Sequence, residues 1–182
     1  TQTYTGLVTA DVATTRTLTG STITLTAGIN AGNQDLNIVG NLLTGAAMTN
    51  ILDLDVSGTA SLGNSVTTAD SITIDGTLTL TGDITLDSTG TQTTDDITLA
   101  AIAGGGNILT LDAGAAGAIS VTGAVSAIDD LILTESNGAV FGSSVTVTDD
   151  IIITAATNSA DIIFNGDLTI TGANGDFVTA NS

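Results

Sequence analysis

The chain is organised by a short alternation: an aspartate, a large apolar residue, a small or polar one, and a second large apolar one. Asp83-Ile84-Thr85-Leu86 shows it plainly, and it returns at Asp35-Leu36-Asn37-Ile38, Asp53-Leu54-Asp55-Val56, Asp96-Ile97-Thr98-Leu99, Asp130-Leu131-Ile132-Leu133, Asp150-Ile151-Ile152-Ile153, Asp161-Ile162-Ile163-Phe164 and Asp167-Leu168-Thr169-Ile170. Side chains alternate between faces along a strand, so the two apolar residues of each copy share a face and the residue between them takes the other. The pattern predicts short strands with one face turned to a core. No stretch sustains the i, i+3, i+4, i+7 spacing of a helix, and Gly or a β-branched residue interrupts nearly every window.

Between Ser71 and Asp87 three triplets, Ile72-Thr73-Ile74, Leu78-Thr79-Leu80 and Ile84-Thr85-Leu86, are separated by Asp75-Gly76 and Gly82-Asp83. Asp-Gly suits a tight hairpin, so an antiparallel meander competes with a coiled parallel arrangement. A longer self-similarity favours the coil. Shifting the chain by 79 residues lays Leu52–Ile74 onto Leu131–Ile153 with eleven identities in 23 positions, among them Leu54/Leu133, Val66/Val145, Ile72/Ile151 and Ile74/Ile153. Repeats of this kind mark solenoids, whose units cannot bury their own apolar face and must stack. Coils of about 20 residues would place four in each such block and about nine in the chain. The Gly/Ala-rich stretch 100–127 still carries strand triplets, Leu109-Thr110-Leu111 and Ile119-Ser120-Val121, so its glycines are expected at corners rather than in a linker. Asn137-Gly138, Asn165-Gly166 and Asn174-Gly175 offer further corners. Nothing divides residues 1–182, which are expected to form a single continuous solenoid cut from a longer chain.

Composition narrows the chemistry. Aliphatic residues must build the core, because aromatics are 2% of a chain that is 42% hydrophobic; Phe141, Phe164 and Phe177 are expected as core fillers. One arginine, Arg16, faces 19 acidic residues for a net charge of -18. Nucleic acid and anionic membrane surfaces need clustered cations and are excluded as partners. The polar residues within the long charge-free run Leu36 to Leu52 disfavour membrane insertion. There is no cysteine, so no disulfide framework exists.

Catalysis lacks its usual groups. Without His, Cys or Lys there is no imidazole base, thiolate or amine nucleophile. Paired carboxylates could cleave glycosides, but Tyr4 and Arg16 are a poor platform for a sugar, and no enzyme is expected. Calcium is the one ligand the residues invite: the doublets Asp95-Asp96, Asp129-Asp130 and Asp149-Asp150 supply hard oxygen donors. Neither the EF-hand loop nor the Gly-rich calcium nonapeptide is present, so solvated acidic corners are the competing reading. Aspartates stacked on coils ~4.8 Å apart repel by about 0.9 kcal/mol per pair in water-like dielectric, a load that calcium or salt would relieve. Thr-x-Thr runs such as Thr22-Ile23-Thr24 and Thr77-Leu78-Thr79 suggest the threonine ladders of ice-binding surfaces, although their spacing is irregular.

Three stretches, Thr1-Gln2-Thr3-Tyr4-Thr5-Gly6-Leu7-Val8-Thr9, Thr17-Leu18-Thr19-Gly20-Ser21-Thr22-Ile23-Thr24-Leu25 and Gly32-Asn33-Gln34-Asp35-Leu36-Asn37-Ile38, with an echo at Thr91-Gln92-Thr93, resemble the repeats of large bacterial exoproteins of the filamentous haemagglutinin type. The resemblance implies an all-β, right-handed parallel β-helix and export to the bacterial cell surface. It also implies a non-catalytic role as adhesin, fibre or stalk, with a host-cell or surface receptor as partner. The secretion domain such proteins carry near the N-terminus is not recognisable here. Uncovered coil ends call for neighbouring repeats or identical subunits end to end. Two alternatives stand beside this: a self-polymerising filament or surface-layer subunit, in the limit an antiparallel β-sandwich, and, more remotely, a polysaccharide-binding or polysaccharide-cleaving β-helix.

Overall fold

A computed structural model describes residues 1–10, 15–89, 92–156 and 161–179, the side chains of 155 and 156 excepted. Thr91, part of the echo of the opening stretch, lies outside the described residues. Among them there are strands, turns and bends but no helix. Every strand pairing is parallel, so the chain is a β-solenoid and the antiparallel sandwich is ruled out. Asp75-Gly76 and Gly82-Asp83 are corners rather than hairpin turns. There the chain turns onto the next face, and the Asp75 and Gly76 N–H groups donate to the carbonyls of Val56 and Gly58 in the coil below (2.9 and 3.0 Å).

Each coil has three faces. The first stacks Gln2, Ile23, Leu42, Ala60, Leu78, Ile102, Val125, Val145 and Leu168 in one column. A second column runs Val8, Ile29, Met48, Val66, Leu86, Leu111, Leu133, Ile153 and Thr179. The third is Arg16, Leu36, Leu54, Ile72, Ile97, Ile119, Ala139 and Ile162. That gives about eight coils of roughly 20 residues, one fewer than the sequence suggested. The tightest coils, around Leu42, Ala60 and Leu78, advance 18 residues per turn, or three arcs of six. The step from Ile72 to Ile97 takes 25, its extra residues lying at the corner after Asp87, and the last, from Ile151 to Phe177, takes 26.

Column assignment gives the 79-residue repeat a different meaning. Leu54 and Ile72 lie on the third face, whereas their counterparts Leu133 and Ile151 lie on the second. Val66 on the second face matches Val145 on the first. The shift is therefore one face short of four coils: the sequence repeats arcs, and any arc fits any face, because each needs only an inward apolar pair and a corner.

The core is the interior column of these pairs. Ile23, Leu36, Leu54, Ile72, Leu78, Leu111 and Leu131 are wholly inaccessible to solvent, each such burial contributing roughly 1.5–3 kcal/mol. Phe141 is fully buried and its ring stacks on that of Phe164 at 5.0 Å. Phe177, also expected as a core filler, meets Phe164 edge-on at 6.3 Å but remains half exposed in the last coil. Glycine is required where backbones of successive corners touch. A Cβ on Gly76 would lie 2.6 Å from the carbonyl of Gly58, and one on Gly58 would lie 2.6 Å from the carbonyl oxygen of Gly40. Of the Asn-Gly corners, only Gly138 adopts positive φ; Asn33 and Asn50 do so instead.

Candidate functional site

In five of the eight Asp-led copies the aspartate that opens the arc has a structural employment. At a corner the backbone leaves the ladder, and its N–H groups need acceptors. The carboxylate supplies one to the coil above. Asp53 Oδ1 accepts from the Ser71 N–H (3.0 Å) and hydroxyl (2.8 Å), and Asp83 Oδ1 from the Ile108 N–H (2.9 Å). Asp96 Oδ1 accepts from the Ala118 N–H (2.8 Å). Asp130 Oδ1 takes the Asp150 N–H (2.9 Å), and Asp150 Oδ1 in turn takes that of Asp176 (2.8 Å). Asn41 and Ser65 do the same for the Thr59 and Thr85 N–H groups, at 3.0 and 2.9 Å. Any short side chain with an oxygen acceptor serves, which is the logic of helix N-caps transferred to a solenoid corner.

The structure separates the predicted calcium residues into two places. Asp129, Asp130, Asp149 and Asp150 come together, with Asp176 added from the next coil, on the corner leading into the second face. The Asp149 carboxyl is held above the ordinary aspartate range, by burial first and then by the charges of Asp150, Asp130, Asp129 and Asp176. Asp95 and Asp96 sit on a different corner, leading into the third face, where Asp95 is wholly buried. Among the described residues no three acidic side chains converge so as to hold a metal ion. Two further acidic stacks were not visible as sites in the sequence. Asp112 lies beside Asp87, its partner in register, and Glu135; burial, then those two charges, raises its carboxyl, against an opposing hydrogen bond from the Gly114 N–H. Asp55 on the outer third face is raised by burial and by Asp75. Their signal was present only as register, which spacing along the chain does not give.

A surface groove of about 440 Å³ runs between Asn33, Met48, Asn50 and the segment 65–69. Amides, hydroxyls and apolar groups line it, with no titratable side chain, so it offers no acid or base. Among the described residues the outer threonines form no long ladder: Thr3 and Thr24 on the first face are followed by Leu43, and Thr79 by Ala103. No helix among the described residues is long and apolar enough to cross a membrane. Comparison of the chain with family models, with curated proteins and with solved structures gives no match.

Proposed function

We propose that this chain is a non-catalytic structural section of a secreted bacterial surface fibre or adhesin of the filamentous haemagglutinin type, acting by rigid extension and display. The observation that carries the proposal is the pairing of an uninterrupted internal column with an uncovered last rung. Leu168 and Phe177 hold inward-facing register positions, as Val145 and Ile151 do one coil below, yet they are 39% and 48% exposed. Parallel coils stacked on one aliphatic interior form a rod, and apolar side chains exposed on a rung with unpaired strand edges suit contact with a further coil or another chain. The groove lined by Asn33, Met48 and Asn50 has no titratable side chain, and the outer faces present mainly hydroxyls, amides and carboxylates suited to a solvated stalk. Immunogold labelling of intact and permeabilised source cells with an antibody to residues 42–86 tests the reading. Label on filaments outside intact cells is expected; label confined to the interior of permeabilised cells defeats it.

The same uncovered rung favours one second reading, a subunit that polymerises end to end. Sedimentation of the 182-residue chain over a wide concentration range separates the two. Polymers that vanish in Leu168→Asp support self-assembly, and a concentration-independent monomer supports a section within a longer chain.

A further inference from the structure

Asp70 and Asp95 occupy equivalent places on successive coils, each two residues ahead of the Ile72–Ile97 rung. The coil is wide here, taking 25 residues from Ile72 to Ile97, and the chain closes it with a turn over residues 92–96. The Ser88 hydroxyl donates to the Asp95 carbonyl (2.6 Å), the Gln92 N–H to Asp95 Oδ2 (2.6 Å) and the Asp96 N–H to the Thr94 carbonyl (2.7 Å). Asp95 is 0% exposed, and its Oδ2 is satisfied. Its Oδ1 is buried with no hydrogen-bond partner, and so is Oδ1 of Asp70. The two carboxyls are near enough to hydrogen-bond each other; the Thr94 hydroxyl reaches Asp70, and Asp53 from the coil below is the remaining charge that faces it. Two buried acceptors turned toward one another without a donor are unstable when both are charged, and one proton between them resolves the orphan atoms together.

We propose that Asp70 and Asp95 share a single proton, Asp70 Oδ1 donating to Asp95 Oδ1, and that this acid–carboxylate pair fastens the turn at 92–96 to the preceding coil and loosens it on ionisation. The placement of the proton follows from the partners. Asp95 already accepts a backbone N–H at Oδ2, which leaves its Oδ1 as the free acceptor. Burial, then the charges of Asp53 and Asp95, hold the Asp70 carboxyl above the ordinary aspartate range against the opposing Thr94 hydroxyl. A group whose folded value is raised contributes stability that is complete below its unfolded value and is lost as pH climbs through the folded one. The fastening is thus strongest in acid.

Carboxyl-detected NMR of the labelled full chain is the direct test: Asp70 is expected to titrate above the normal aspartate value, with the Asp95 resonance moving in the same step. Amide exchange of residues 93–96 supplies the second arm. Between about pH 5 and pH 8 it should accelerate beyond the ordinary hydroxide-catalysed increase. That excess should be lost in Asp70→Asn, whose amide donates to Asp95 without titrating. Separate, ordinary titrations of the two groups overturn the proposal, as does an exchange excess that survives in Asp70→Asn. Protection of 93–96 by calcium at neutral pH that disappears in Asp95→Asn also overturns it, because a cation rather than a proton would then satisfy the oxygens.

Discussion

The coils between Met48 and Leu86 and the last coil, Ile162–Thr179, are written in the same alphabet. Ile72-Thr73-Ile74 and Leu168-Thr169-Ile170 differ by one aliphatic exchange, and both sit in parallel register with the coil below. Ile72 is inaccessible to solvent while Leu168 is exposed over more than a third of its surface. Identical local pattern therefore yields a core residue in one place and a surface residue in the other. A strand triplet in a solenoid specifies only which way its side chains point; burial is conferred by the neighbour above. A compact domain closes its core on itself, whereas this fold hands an unfinished core from coil to coil.

Substitutions placed in both regions test that contrast most directly. Leu78→Ala should cost about 2–5 kcal/mol in denaturant unfolding, since it empties a site packed on both sides; Leu168→Ala should cost under about 1 kcal/mol. Equal losses would mean that the last rung is covered in solution. The corners sharpen the comparison next. Gly76→Ala drives a methyl into the Gly58 carbonyl and should destabilise by about 1–3 kcal/mol. A Cβ on Gly45 meets nothing within 4 Å, so Gly45→Ala should be neutral or gain about 0.4–1 kcal/mol from the stiffer unfolded chain; thermal melts of the pair decide it.

Smaller effects belong to the corner carboxylates. Asp53→Ala strands the Ser71 N–H between two complete coils and should cost about 1 kcal/mol. Asp150→Ala, which serves the Asp176 N–H of the final coil, should cost less in global unfolding and show itself as faster exchange at that amide. The most diffuse effect is that of pH. Burial raises the carboxyls of Asp55, Asp70, Asp112 and Asp149, and neighbouring acids add to it. In the window just above the ordinary aspartate value the folded state therefore binds more protons than the unfolded one, and stability rises as pH falls from neutrality toward about 4. Added salt at neutral pH should act in the same direction by screening. A melting temperature that drops steadily between those limits would show that the corner hydrogen bonds to carboxylates outweigh their mutual repulsion.

Much of this architecture was legible beforehand because it is local. The Asp-led triplets marked the strands, the period-2 alternation marked their inner face, and the lack of helical spacing matched the lack of helix among the described residues. The 79-residue match pointed to stacking but not to its phase, since three equivalent faces allow an arc to sit on any of them. The acidic doublets were noticed for their ligand chemistry, yet one aspartate of each, Asp96, Asp130 and Asp150, holds a backbone N–H group of the next coil. Asn41 and Ser65, in the same role, carry no charge to draw attention to them. The Asp70–Asp95 contact had no signature at all: the two residues stand 25 apart only because the corner after Asp87 is extended.

By itself the sequence determined the fold class, the inward pairs and the aliphatic nature of the core, because these follow from side-chain alternation and from which residues water rejects. Tertiary structure alone decided which arc lies above which, which carboxylates meet, and where the core is left open. Those properties depend on the number of residues spent at each corner, summed over whole coils, and no local pattern encodes that sum.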